Sequence, residues 1–303
     1  ISTPPRIPEG GGPRVARRSR AGDEQPYARF DLAPLGPTIG AEVLGLSLRH
    51  PVDDETFAEL HRALLEWKVL FFRDAGLTPA HHEALGSRWG PLEVHPFFDQ
   101  INDQQELDRR HVVRFEKGAD ATGYENVWHS DVSWRSNPSL GSLLHAIEVP
   151  ELGGDTLWAD MAAAYDCLDD ETRVRVADLV AVHDWWDNFG RAMTPEARDQ
   201  LRPRFPAVEH PVVRTHPETG RRTLYVNGAF TQRIVGLDPD ESAQLLAHLY
   251  QQASYPEYQC RWHWAPGDLA IWDNRATQHY AVSDYWPQRR VMERVTVAGD
   301  QPF

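Results

Sequence analysis

Ala265-Pro266-Gly267-Asp268-Leu269-Ala270-Ile271-Trp272-Asp273-Asn274-Arg275-Ala276-Thr277-Gln278-His279 reads as a turn, a strand and then a polar stretch that ends on a histidine. The Pro-Gly pair marks the turn, and the run Asp268 to Trp272 has the residue types of a strand. Similar short runs recur at Val69 to Phe72, Gly141 to Ala146, Thr156 to Ala159, Val212 to His216, Thr223 to Asn227 and Val291 to Ala298. Helices are fewer. Within Asp54 to Lys68, the residues Phe57, Leu60, Leu64 and Trp67 recur at three- and four-residue steps, which predicts an amphipathic helix. Thr78, with Pro79 at the first helical position, caps a helix running towards Trp89, and Asp238-Pro239-Asp240-Glu241 opens another to about Gln252. Many short strands split by Gly/Pro turns, with a few helices outside them, predict a mainly β fold with a sandwich or barrel-like core.

His279 gains meaning from a second segment, Trp128-His129-Ser130-Asp131. On a strand, residues two apart point to one face, so His129 and Asp131 would present an imidazole and a carboxylate to one ion. A histidine from a distant strand would complete a facial triad and leave positions open for a co-substrate and oxygen. The spacing alone is weak, because His216-Pro217-Glu218 and His81-His82-Glu83 repeat it. The second of these lies in the helix predicted after Thr78, where residues two apart diverge. The first precedes a Thr-Gly turn and reads as a hairpin tip. What strengthens His129 and Asp131 is the run beyond His279, where Arg290 and Arg294 are evenly spaced on a returning strand and share a face. A metal ligand followed by paired arginines suits a dicarboxylate beside an iron: one end chelates the metal and the other meets a guanidinium fork.

Composition narrows the partners. A chain of 303 residues with 41% hydrophobic content can bury a substantial core. We expect one catalytic domain over residues 27–303, after a disordered Pro/Gly/Arg-rich tail over residues 1–26. The formal charge of −14 argues against nucleic acid or an anionic membrane as partner, and leaves a small molecule. Cys167 and Cys260 are far apart and belong to no CxxC pair, so a reducing, cytoplasmic setting is expected. No apolar run reaches the length of about 18 residues that spans a bilayer.

On Trp128 to Asp131, Gly153-Gly154-Asp155-Thr156-Leu157-Trp158, His210 to Pro217 and Ile271 to Arg294 with its continuation to Asp300, the chain resembles the taurine dioxygenase family of iron(II)/2-oxoglutarate oxygenases. The likeness runs from about Ile39 to the C-terminus. It implies a double-stranded β-helix, or jelly-roll, core with His129, Asp131 and His279 as iron ligands. Thr156 and Arg290 would bind 2-oxoglutarate, and Arg294 would lie near both co-substrate and substrate anion. His95, Phe189 and Phe230 would line the substrate pocket. The activity implied is O2-dependent hydroxylation of an aliphatic C–H bond, with succinate and carbon dioxide as co-products. Family members commonly self-associate, so a homo-oligomer is expected by default.

The substrate side departs from the taurine pattern. Glu125 stands where the family has an asparagine, with Asn126 beside it; Phe98 replaces a tyrosine, and Asn188 a serine. Trp134, Trp185 and Trp186 add bulk nearby. Each lost charge-assisted hydrogen bond weakens anion binding by about 1.5–3 kcal/mol. The expected substrate therefore has an anionic end (sulfonate, sulfate ester, phosphonate or amino acid) and a larger apolar or amine-bearing body. Two rivals use the same residues: a zinc hydrolase on the His/Asp/His site, and a non-catalytic barrel that senses a small acid. The hydrolase gives Arg290 and Thr156 no purpose.

Overall fold

The computed structural model describes residues 25–94, 110–119, 126–190 and 193–303, together with Pro13. Most of the expected tail therefore lies outside the described residues. The Asp53 carboxylate accepts the Thr56 amide at 2.7 Å and starts α1 (Asp54–Trp67), whose Leu60, Leu64 and Trp67 are buried. Lys68 ends it in the left-handed region, at φ 66°. Its buried ammonium lies 3.1 Å from Asp160 Oδ2 and donates to the Thr38 carbonyl at 2.9 Å. Thr78 caps α2 (Pro79–Gly86), which stops short of Trp89 because residues 87–89 close into turns.

The strands are β1 (Asp31–Pro34), β2 (Ala41–Leu44), β3 (Val69–Phe72), β4 (Val112–Lys117), β5 (Gly141–Glu148), β6 (Thr156–Asp160), β7 (Val180–His183), β8 (Val208–Pro211), β9 (Val213–Thr215), β10 (Arg222–Leu224), β11 (Thr231–Ile234), β12 (Gln259–Trp262), β13 (Leu269–Asp273), β14 (Thr277–Ala281) and β15 (Arg290–Val297). The larger sheet runs β1-β2-β3-β13-β5-β15-β4, and facing it β6 is flanked by β12 and β14. Period-two alternation decides what each face of the larger sheet meets. Leu70, Phe72, Leu269, Ile271, Val295 and Val297 pack with α1 and α2, whereas Phe71, Ala270, Trp272 and Met292 point to Trp158 and Trp262 of the smaller sheet. Phe71 stacks on Trp262 at 4.3 Å between ring centroids and meets Trp158 edge-on at 5.2 Å. Each such large side chain contributes about 1.5–3 kcal/mol by leaving water. The two layers form the expected jelly-roll core.

Beyond the smaller sheet, β7 pairs with β8 and β11, and β9 with β10 forms a hairpin. The hairpin strands are shorter than the runs expected at Val212 to His216 and Thr223 to Asn227, because His216 already belongs to the hairpin tip. The helix α3 (Pro239–Gln252) covers this region with Leu245, Leu246 and Leu249. Among the described residues, no helix is long and apolar enough to cross a membrane.

Candidate active site

His129 and His279 are placed by one β-bridge: the His129 amide donates to the His279 carbonyl at 3.1 Å and the His279 amide returns to His129 at 2.8 Å. His279 rides on β14, but the expected strand through Asp131 does not exist. Residues 131–134 form turns, and Val132 takes φ 45°. Asp131 reaches the histidines because its peptide is folded back and held across the chain. Asn274 Oδ1 accepts the Asp131 amide at 2.7 Å, and Asn274 Nδ2 donates to the Asp131 carbonyl at 3.0 Å. Ser130 Oγ adds a bond to the Thr277 carbonyl at 2.8 Å.

One potential ligand atom from each of His129, Asp131 and His279 lies within 4.8 Å of the others. Both imidazole Nε2 atoms stand 3.9 Å from Asp131 Oδ1. His129 Nδ1 lies 2.8 Å from the Val127 carbonyl, which can only accept, so Nδ1 donates to it and Nε2 is the nitrogen turned to the site. Burial, with His129 beside it, lowers the pKa of His279 to about 3, so its ring is neutral near pH 7. Burial alone would raise the Asp131 carboxyl, but Arg294, His279, His129 and the Ser142 hydroxyl together hold it below the usual carboxylate range. Ser142 Oγ donates to Oδ2 at 3.1 Å, and Arg294 donates to Oδ1 at 3.0 Å. Two imidazoles and an ionised carboxylate form a donor set that fits iron(II).

The competing His-x-acid pairs do something else. His216 Nε2 bonds Asp273 Oδ2 at 2.9 Å at the tip of the β9–β10 hairpin, and Arg275 Nη2 bridges Asp273 and Glu218 at 2.7 Å each. His81 and Glu83 sit on α2, where their side chains diverge. His183 is buried, with Nδ1 3.1 Å from Ser133 Oγ. Trp128 packs against Tyr280.

A cavity opens beside the two histidines, and Thr156, Arg290, Met292 and Arg294 line it. The alternation along β15 sends Arg290 and Arg294 to one side, whereas Arg289 turns to solvent and pairs with Glu116 and Glu148. Composition alone would have made Gln288-Arg289-Arg290 a solvated turn; the strand divides it. Gly154, at φ +68°, lets its loop close on this wall, since a Cβ there would lie 3.2 Å from the Tyr285 ring and 3.3 Å from Arg290 Cδ. The Thr156 hydroxyl accepts from Trp264 Nε1 at 3.0 Å.

On the other side of His129 lies an apolar wall. The Phe230 ring is 6.1 Å from the His129 ring and 5.7 Å from Phe189, within a cluster that includes Trp134 and Trp185. Asn188 is half-buried in the turn before Phe189, and Asn126 is exposed. His95, Phe98 and Glu125 lie outside the described residues. Sequence reasoning overlooked Ser142 and Asn274, although an asparagine at the end of an apolar strand is a signal of a buried polar contact.

The family described as "Taurine catabolism dioxygenase TauD, TfdA family" matches residues 31–296. The chain is 38% identical over 288 residues to an alkylsulfatase of Acinetobacter baylyi, covering 91% of this chain and 87% of that one. An alpha-ketoglutarate-dependent sulfate ester dioxygenase of Pseudomonas putida is 35% identical over 286 residues, covering 91% and 92%. The crystal structure of a taurine dioxygenase from Burkholderia xenovorans superposes with a TM-score of 0.76 at 34% identity, over 91% of this chain and 93% of that one. A match of this extent, in sequence and in fold alike, means that the chain belongs to the TauD/TfdA family of dioxygenases.

Proposed function

We propose that this iron(II)- and 2-oxoglutarate-dependent dioxygenase hydroxylates the carbon that bears the ester oxygen of an alkyl sulfate, or the equivalent carbon of a related small anion. The observation that carries the reading is the meeting of three ligand atoms within 4.8 Å beside a cavity that Arg290 also lines. The two relatives named for sulfate esters, together with Phe98, Glu125 and Asn188 in place of the taurine-type residues, favour a sulfate ester over taurine.

His129, Asp131 and His279 hold the metal. Bound iron(II), with 2-oxoglutarate and O2, supplies the oxidising power that converts C–H to C–OH as the co-substrate leaves as succinate and carbon dioxide. Arg290 receives the distal carboxylate of 2-oxoglutarate on its guanidinium fork, and Thr156 adds a hydroxyl. Arg294 orients Asp131 and places positive charge beside the substrate anion. Phe189 and Phe230 exclude water and direct the substrate's carbon body towards the metal. A sulfate ester hydroxylated at this carbon carries OH and OSO3− on one atom; it collapses to an aldehyde, releasing sulfate and a proton. At a carbon without such a leaving group the product is an alcohol. The catalytic unit spans residues 27–303, and a cytoplasmic homo-oligomer completes the reading, to be checked by light scattering.

Succinate release measured over a panel of alkyl sulfates, sulfonates, phosphonates and amino acids tests the substrate class. Alkyl sulfates should exceed taurine by at least about tenfold, the ratio that one lost donor on the anion produces. Equal stimulation by taurine would overturn the assignment. Anaerobic iron(II) with 2-oxoglutarate should give a charge-transfer band that is lost in Asp131→Ala.

A further inference from the structure

Asp131 is the one member of the triad that no strand or bridge holds, since the chain turns at residues 131–134 and Val132 takes φ 45°. Its peptide nevertheless has both partners, and both come from a single side chain. The Asn274 amide accepts from the Asp131 N–H at 2.7 Å and donates to the Asp131 carbonyl at 3.0 Å, as a neighbouring strand would do. The second Nδ2 proton goes to the Ser139 carbonyl at 3.1 Å, and Asn274 itself is 1% exposed. Its own backbone amide is fixed to the Leu140 carbonyl at 2.9 Å. Among the described residues, the hydrogen bonds of this side chain all go to backbone.

Asn274 also sits in the segment between β13 and β14, five residues before His279. The amide therefore ties the segment that carries His279 to the loop that carries His129 and Asp131. With the peptide of residue 131 held, Ser142 Oγ donates to Oδ2 at 3.1 Å and Arg294 to Oδ1 at 3.0 Å, and this places Oδ1 3.9 Å from both imidazole nitrogens.

We infer that Asn274 is a positioning residue for the metal centre, which sets Asp131 to offer a single oxygen, Oδ1, to the ion. This rests on the reading of His129, Asp131 and His279 as the iron site. A buried asparagine that only stabilised the loop would leave the metal affinity of the folded protein unchanged.

The test uses the full chain as wild type, Asn274→Ala and Asn274→Asp. Asn274→Asp keeps the acceptor for the Asp131 N–H and turns the donor that faces two carbonyls into an acceptor. Cobalt(II) is titrated into metal-free protein under anaerobic conditions, following affinity and the visible spectrum, with melting curves of the metal-free proteins alongside. Wild type should bind, and both variants should fold yet bind about 10–100-fold more weakly, the usual effect of losing a partner that orients a ligand, with an altered cobalt spectrum. Unchanged affinity and spectrum in folded variants would overturn the inference. Failure of both variants to fold would assign Asn274 to general scaffolding and overturn it equally. If wild type itself did not bind, the iron-site reading would fall first, and the inference with it.

Discussion

Replacing Arg290 by alanine separates co-substrate binding from metal binding most directly. Arg290 is 9% exposed, and its neighbours around the cavity, Leu144, Trp272, Tyr285 and Met292, are largely apolar. It stands on a strand paired on both sides, with β4 and with β5, so its backbone is rigid and little ordering is needed when 2-oxoglutarate arrives. A carboxylate held by the fork gains two charge-assisted hydrogen bonds worth about 1.5–3 kcal/mol each. Water entering the truncated cavity recovers part of this, which leaves a loss of about 3 kcal/mol, or roughly 150-fold in Kd. Arg290→Lys keeps the charge without the fork, and a loss of roughly tenfold is expected. The assay is an anaerobic titration of 2-oxoglutarate into the iron(II)-loaded protein, read by the charge-transfer band, with iron affinity measured separately and expected to stay unchanged. A shift below about threefold in Arg290→Ala, against the roughly 150-fold worked above, would refute the reasoning.

Thr156→Val removes the acceptor of the buried Trp264 N–H, so stability should fall by about 1–3 kcal/mol in a urea unfolding curve, while 2-oxoglutarate affinity falls only about fivefold. Phe230→Ala, at a buried ring beside His129, should destabilise the fold by about 3–5 kcal/mol by thermal unfolding, with the iron/2-oxoglutarate band retained and substrates of larger apolar body losing the most kcat/KM. The pH dependence has a definite sign. Burial lowers the pKa of His82 to about 3 and holds His183 well below its ordinary value, so both are neutral when folded and take up protons only on unfolding. Their contribution is complete above about pH 6.5 and is lost as pH falls below it, at roughly 1.4 kcal/mol per pH unit for each histidine, down to about 3 for His82. The denaturation midpoint of the metal-free protein should track this slope, and His82→Gln should flatten it by one histidine's share.

Much of this molecule was legible in its order of residues. The strands at Val69 to Phe72, Gly141 to Ala146 and Asp268 to Trp272 stand within two residues of where alternation and turn chemistry predicted them, because both faces of the larger sheet are buried and each side chain has one place to go. The helix starts at Asp54, Pro79 and Pro239 are equally local, being set by Asp53, Thr78 and Asp238 acting on the first turn. The strand Thr231–Ile234 was not read, because its Gln232 and Arg233 are polar and only pairing with β7 makes them favourable.

The candidate site divides along the same line. Residue identities alone established the donor types, the even spacing of Arg290 and Arg294, and the family to which the motifs belong, because these depend on chemistry and on local period. They could not show how Asp131 comes to face the two histidines. That rests on an amide 143 positions away, at Asn274, and on a turn with φ 45° at Val132, neither of which leaves a periodic trace. The division between Arg289 in solvent and Arg290 in the cavity was likewise settled only when β15 paired between β4 and β5, since pairing fixes which face of a strand is inside. Ligand chemistry is carried by each side chain on its own; ligand direction is a property of backbones brought together from distant parts of the chain.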